Sequence, residues 1–393
     1  MPADFPDPGP GMKVLARWRA VQKRLRQWRR RLLVTASKLR RWSARVPTLL
    51  RPVPAMLRRL CASPYVQTAA AASAVLVLAA AGRYWLFWQR LEAPLSLEDR
   101  YVLMVRAGSN FTRLVQELRQ AGVLADEDLL YYVRYHGLAN QIRAGEYELL
   151  AGLTPLGLLQ LLLDGRVIEY QVRLGEGWTL AQALTAIQSH PAVVTTVPVD
   201  DAAGWQKALG TLQYPEGWLF PETYNFTRGT SDVELARRAQ ALMQQTLEAA
   251  WAERDSGLPY QSPYDVLIMA SIIEKETGLL EEQPQISGVF LRRLQQQMKL
   301  QTDPTVIYGL GASFDGNLTR AHLQGDTPYN TYLREGLPPT PIALPSRSAL
   351  LATVHPAAGA ALYFVAKGDG SHYFSATLEE HNAAVRQYQL NSP

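Results

Sequence analysis

At 393 residues with 47% hydrophobic side chains, the chain carries enough apolar material for a sizeable core in more than one folded unit, which excludes an acidic, low-complexity disordered protein. The formal charge of +5 hides an asymmetry: residues 1–59 hold 16 Lys/Arg and two Asp, net +14, while the rest holds 24 basic and 33 acidic side chains, net −9. Basic character therefore belongs to a tail, and the single cysteine, Cys61, excludes a disulfide within the chain and a zinc site of the cysteine type.

In chain order the tail comes first, residues 1–62. Its arginines (Arg29, Arg30, Arg31, Arg40, Arg41) fit either nucleic acid or anionic headgroups. The apolar stretch that follows favours headgroups over nucleic acid, and the spacing of Trp18, Trp28 and Trp42 suits an amphipathic surface helix. Leu60 to Gly82 is 23 residues without a charge, long enough to cross a bilayer, and the predicted transmembrane helix is set at 63–88. Arg83 and the cluster Tyr84, Trp85, Leu86, Phe87, Trp88 resemble an interfacial belt in which the arginine snorkels to headgroups. A buried soluble helix and a cleaved signal peptide are the alternatives, but few soluble core helices have these flanks and the basic region is far longer than the usual signal-peptide form. The positive-inside rule then keeps the tail in the cytoplasm and puts everything beyond about residue 89 outside, on a single span.

The exported part reads as α+β. Tyr101–Val105 alternates like a strand, Gly108-Ser109 opens a helix to Ala121 with Gly122 as its stop, and a second helix over about Glu127–His136 ends at Gly137. A strand near Tyr147–Leu150 completes the order strand, helix, helix, strand, as in LysM-like glycan-binding modules, over residues 95–170. Thr154-Pro155 starts another short helix, which Gly165 ends. A faint repeat aligns Val105–Thr112 with Val172–Thr179, each a strand end turning into a helix start, and Thr179 with Gln182 forms a capping-box pattern. A second such pattern, Ser231 with Glu234, opens a long helix to about Arg254, and Ser262-Pro263-Tyr264 introduces the next. Beyond it, prolines from Pro304 to Pro356 break the chain into loops with short helices and strands such as Leu362–Ala366. Residues 171–393 form the second exported domain of the prediction.

Gly-rich phosphate loops, His-Glu-x-x-His and Gly-x-Ser-x-Gly do not occur in the sequence, which argues against nucleotide, zincin and α/β-hydrolase chemistry. His136, His190, His322, His355, His372 and His381 show no metal-ligand spacing, and no cofactor is implied. ASIIEKETG at 270–278 stands out because Glu274 and Glu276 end a helix that is apolar nearly all round. A carboxyl drawn partly out of water there has a raised pKa and can donate a proton to a leaving-group oxygen. Positions two apart on a helix point about 200° from each other, so at most one of the pair serves as that acid. Glu274 continues the stripe of Leu267, Ala270 and Ser271, whose small members leave room for a ligand, whereas Glu276 reads as a solvated or salt-bridged helix end. On the residues alone, one catalytic acid and two structural carboxylates weigh equally.

PEGWLFPETY (215–224), ASIIEKETG, VFLRRL (289–294), LQTDPTVIYGLG (300–311), YNTYLREGLPPTPI (329–342) and LYFVAKGDGSHYFSATLEEHN (362–382) occur in the order seen in one family. From about residue 95 onward the chain resembles the MltG (YceG-like) family of membrane-anchored endolytic peptidoglycan transglycosylases. The long basic tail lies outside that pattern, and Thr340 stands where a glycine is common. The resemblance implies Glu274 as the catalytic residue, a LysM-like subdomain ahead of the catalytic one, and an inner-membrane protein whose catalytic domain is periplasmic. It also implies peptidoglycan glycan strands as substrate and cell-wall synthases as candidate partners. The implied reaction cleaves the bond between N-acetylmuramic acid and N-acetylglucosamine to leave a 1,6-anhydro end. Glu222, Tyr224, Gln301, Asp303, Tyr308, Asn330 and Tyr332 lie in the matching motifs as candidate sugar contacts. A non-catalytic glycan-binding scaffold and a hydrolase giving reducing ends are the competing readings.

Overall fold

A computed structural model describes residues 64–106, 108–211 and 214–390. The basic tail and Cys61 lie outside them. The chain divides into two compact units, one up to Ile168 and one from Glu169.

In the first unit, α1 (Pro64–Glu92) is a continuous helix of 29 residues. At about 1.5 Å per residue it is roughly 43 Å long, and its most apolar stretch has a mean hydropathy of 1.6 with no part buried in protein. It is the one helix, among the described residues, long and apolar enough to cross a membrane. Its last turns are held by the rest of the first unit. Leu91 is buried, Arg83 pairs with Asp128 at 3.2 Å, and Arg90 lies 3.4 Å from Asp126 and 3.5 Å from Asp128. Arg83 thus has a protein carboxylate as its partner, where the sequence suggested headgroups.

β1 (Tyr101–Val105) follows, then α2 (Phe111–Gln120), α3 (Asp128–Tyr135), β2 (Gly145–Leu149) and α4 (Pro155–Asp164). β1 and β2 pair antiparallel from Tyr101↔Leu149 to Val105↔Gly145. Asn110 caps α2 by accepting from the Thr112 amide at 2.9 Å, two residues later than the expected Gly108-Ser109 start. The stripe Phe111, Leu114, Val115 and Leu118 then faces the core with Val133, Tyr147, Leu149 and Leu158. Thr154 caps α4 through the Gly157 amide, Pro155 occupies its first turn, and Gly165 ends it.

The second unit begins with β3 (Tyr170–Arg173), α5 (Leu180–Gln188), α6 (Ala202–Leu209) and β4 (Thr223–Phe226). β3 and β4 pair antiparallel, Tyr170↔Phe226 to Arg173↔Thr223. The Thr179/Gln182 capping box is present. α7 (Asp232–Ala252) is capped by Ser231, but the Glu234 side chain turns to Arg238 one turn on, so only half of the expected box forms.

α8 (Pro263–Glu276) is the central element, with eight consecutive buried residues from Val266 to Ile273. Each large apolar side chain so buried contributes about 1.5–3 kcal/mol. Around it pack α7 through Met243 and Leu247, α9 (Gln283–Gln295) through Ile286 and Phe290, and α12 (Arg347–Val354) through Ala349 and Leu350. α10 (Asp303–Leu310) and α11 (Arg320–Gln324) precede α12, and the ribbon β5 (Tyr363–Ala366) with β6 (His372–Ser375) and α13 (Leu378–Val385) follow it. The described sheets are three separate two-stranded ribbons, so the architecture is α+β.

Candidate active site

Glu274 leaves the last turn of α8 toward the start of α12. Its Oε2 accepts from the Ser346 amide at 3.0 Å and from the Ser346 hydroxyl. The same hydroxyl accepts from the Ala349 amide at 3.2 Å, so Ser346 caps α12 and holds Glu274 at once. One turn earlier on α8, Ser271 Oγ accepts from the Ile342 amide at 3.0 Å and fastens the incoming strap to the helix. Both bonds to Glu274 fall on Oε2; among the described residues Oε1 receives none. Burial raises the Glu274 pKa, Ser346 and Lys275 oppose that, and Glu176 adds to it; the net direction is upward.

The turn 175–178, in the second copy of the faint repeat, also lies against Glu274: a Cβ on Gly177 would be 3.8 Å from the Glu274 Cγ. Gly177 donates to the Leu344 carbonyl at 2.9 Å and Leu344 donates to the Trp178 carbonyl at 2.7 Å, so turn and strap are mutually bonded. Lys275 Nζ reaches the Gly177 carbonyl at 3.3 Å. Sequence reasoning did not identify Ser346, Glu176 or Gly177 as neighbours of Glu274. The Ser-x-x-Ala cap was a local signal for the start of α12, but nothing local joins it to a carboxylate 72 residues away.

Glu276 points the other way, and in place of the solvated or salt-bridged helix end read from the sequence it is a partly exposed carboxyl bonded to a hydroxyl. Its carboxyl accepts from the Thr302 hydroxyl, and burial pushes it up to about 7. Thr302 is tied by its amide to Thr331 Oγ1 at 3.0 Å, and Gln301, with φ of 52°, donates to the Thr331 carbonyl at 3.1 Å. Asp303 accepts from the Tyr332 hydroxyl at 2.6 Å. The segments around Gln301 and Asn330 thus cross beside Glu276.

Of the candidate sugar contacts, Gln301, Asp303, Asn330 and Tyr332 converge at that crossing. Asn330 is fully buried, and its amide bonds to the Leu323 and Gly325 carbonyls and the Tyr332 amide, which fastens the loop. Tyr308 lies elsewhere. Its hydroxyl donates at 3.0 Å to Glu216, a buried carboxylate that also accepts from the Leu180 amide at 2.7 Å. Burial raises Glu216 to about 7, and burial together with Glu216 raises Tyr308. Glu216, in PEGW, went unrecognised in the sequence. The glycine after it is required by space: a Cβ on Gly217 would lie 2.5 Å from the Pro341 Cβ. Thr340 is accommodated beside it, its hydroxyl meeting Tyr329 at 2.8 Å and the Pro341 carbonyl at 2.9 Å. Glu222 and Tyr224 sit at β4, where the Glu222 carboxylate accepts from the adjacent Thr223 amide and the Tyr224 hydroxyl donates to the Phe220 carbonyl. Among the described residues, no cluster of three or more His, Cys, Asp or Glu is grouped to hold a metal ion.

Glu274, with a raised pKa and an oxygen that no described residue engages, between the cap of α12 and the turn at Gly177, defines a candidate single-acid site. The sequence model of the YceG-like family matches residues 103–387, and the chain belongs to that family. An endolytic murein transglycosylase of Bacillus subtilis is 32% identical over 331 residues, covering 78% of this chain and 90% of its own. A Streptococcus pneumoniae protein of the same name is 26% identical over 360 residues, covering 80% of this chain and 63% of its own. A crystal structure of a yceG-like protein from Listeria monocytogenes is 29% identical, covers 73% of this chain and 99% of that one, and has a TM-score of 0.46.

Proposed function

We propose that the chain is a membrane-anchored peptidoglycan lytic transglycosylase that cleaves within glycan strands, at the bond between N-acetylmuramic acid and N-acetylglucosamine. The arrangement of Glu274 is the observation that carries this reading. Its raised pKa keeps a larger protonated fraction near neutral pH, and its Oε1 is free of protein partners. As acid it gives its proton to the bridging oxygen while positive charge develops at the muramoyl C1. As base it then takes the proton of the muramoyl C6 hydroxyl, whose oxygen attacks C1. The C1–O bond breaks, a C1–O6 bond forms within the same sugar, and the proton count closes without water. Intramolecular attack can have an effective molarity on the order of 10⁵–10⁸ M, which accounts for water losing the competition. No nucleophilic carboxylate is needed, in contrast to two-carboxylate glycosidases. Glu216 is buried with protein donors on both oxygens, in keeping with a role apart from the reaction.

In this reading residues 1–62 are cytoplasmic, 63–88 span the inner membrane once, 95–170 are a LysM-like glycan-binding subdomain, and 171–393 are the periplasmic catalytic domain. Cutting nascent strands would end their elongation, with cell-wall synthases as partners. Mass spectrometry of digested glycan strands tests the reaction: anhydro-muramoyl ends that vanish in Glu274→Gln are expected. Reducing ends instead would make the protein a hydrolase, and an absence of products from the unaltered chain would leave a scaffold.

A further inference from the structure

The first unit turns large rings into solvent on one side. Tyr131 and Tyr135 of α3 are 56% and 87% exposed, and Tyr84 and Trp85 of α1 are 62% and 61% exposed. Tyr131 shares a shallow recess with Ala80, Arg83, Tyr84, Phe87 and Asp128. Ala80 belongs to the uncharged stretch that ends at Gly82, so α3 lies beside the last turns of the apolar helix and not beyond them.

No linker separates the two. α1 runs unbroken through Glu92, and Arg83 and Arg90 clamp it to Asp128. Trp88 meets the edge of Tyr132 with ring centroids 6.1 Å apart. Tyrosine and tryptophan have an apolar body and a polar tip, which is the surface a headgroup region accepts. Arg83 and Arg90 also keep half their side-chain surface exposed on the same rim, which suits lipid phosphates.

We propose that Tyr131 and Tyr135, with Tyr84 and Trp85, lie in the headgroup zone of the bilayer that α1 crosses, so that the first unit rests directly on the lipid surface. The proposal depends on α1 being a span, and the test separates the two. The full chain in a Cys61→Ser background receives a single environment-sensitive fluorophore through Tyr135→Cys, Tyr131→Cys or Val75→Cys. Each is reconstituted into phosphatidylethanolamine/phosphatidylglycerol vesicles with nitroxide quenchers at the headgroup or at the middle of the acyl chain. Tyr135 is mostly in solvent, so its replacement leaves the core intact. The expected result is loss of emission at 75 with the mid-chain quencher, and at 131 and 135 with the headgroup quencher. Loss at 75 with full emission at 131 and 135 overturns the docking and keeps the span, as it would if a protein covered this face. Loss at 135 from the mid-chain quencher alone also overturns it. Full emission at 75 removes the span and the proposal together.

Discussion

Glu274 and Glu276 leave one helix end about 200° apart, and they meet neighbours of different kinds. Glu274 is held by the cap of another helix on a single oxygen, with a turn of backbone and a lysine close by. Glu276, also partly exposed, receives the hydroxyl of Thr302 on one oxygen. Both have raised pKa values, and so does Glu216. A raised pKa alone therefore does not single out an acid. The two carboxylates of α8 differ in what they face: Glu274 meets the start of α12 and the turn at Gly177, Glu276 meets Thr302, and each is partly exposed with one oxygen that no described residue engages.

The largest expected effect breaks that comparison on the activity side. Glu274→Gln removes the proton donor and should lower turnover by at least the 10²–10⁴-fold typical of general acid–base groups, while the thermal midpoint holds or rises. Glu276→Ala should do the opposite. It leaves the Thr302 hydroxyl without its acceptor in a buried site, at about 1–3 kcal/mol, seen in chemical denaturation. Loss of turnover at full stability in Glu276→Ala would reverse the two roles.

The pH dependence of stability sharpens the same contrast. Glu276 and Glu216 rise from 4.5 unfolded to about 7 folded, so the folded chain holds protons that the unfolded chain releases. Their contribution is complete below about 4.5 and is lost as pH rises through about 7. Glu276→Gln, neutral at every pH, should flatten denaturation midpoints across that window. An unchanged slope would place the Glu276 carboxyl in water.

Local chemistry made much of the frame legible. Thr154-Pro155, Gly165 and the Thr179/Gln182 box need only a few neighbouring residues, and they mark α4 and α5 where the chain forms them. Reading prolines only as breakers misled in the last third, because Pro304 lies in the first turn of α10, where a missing amide hydrogen costs nothing. In the proposed site, the motif and the apolar helix beneath it pointed to Glu274. Its partners were not legible, since Ser346 and the turn at Gly177 reach it through tertiary packing that no period or spacing encodes. Asn330, a polar residue in a motif that suggested a sugar contact, is buried with its amide bonded to the Leu323 and Gly325 carbonyls and the Tyr332 amide, tertiary partners that the motif did not announce.

Ser346→Ala tests how Glu274 is held. Losing the hydroxyl removes one of the bonds that favour the charged carboxylate and also uncaps α12, at about 1 kcal/mol. The Glu274 pKa should climb, and the alkaline limb of kcat/KM, which reports the protonated acid in the free enzyme, should move to higher pH. A shift to lower pH would mean that the hydroxyl supports the neutral form.

The smallest effects come from the two flanking charges, and their value lies in opposite signs. Glu176 raises the Glu274 pKa and Lys275 lowers it, both more weakly than burial and Ser346. Glu176→Gln should therefore move the alkaline limb to lower pH and Lys275→Met to higher pH, each by less than Ser346→Ala. Lys275 is exposed, so salt screens its charge, and added salt should shrink the difference between Lys275→Met and the unaltered chain. The Ser346→Ala shift, arising from a direct hydrogen bond, should persist in the same salt. Shifts of one sign in both charge variants would show that the limb belongs to another group. Opposite shifts would tie it to Glu274, which both charges influence, and not to Glu276, which answers to Thr302, Asp303 and Arg293.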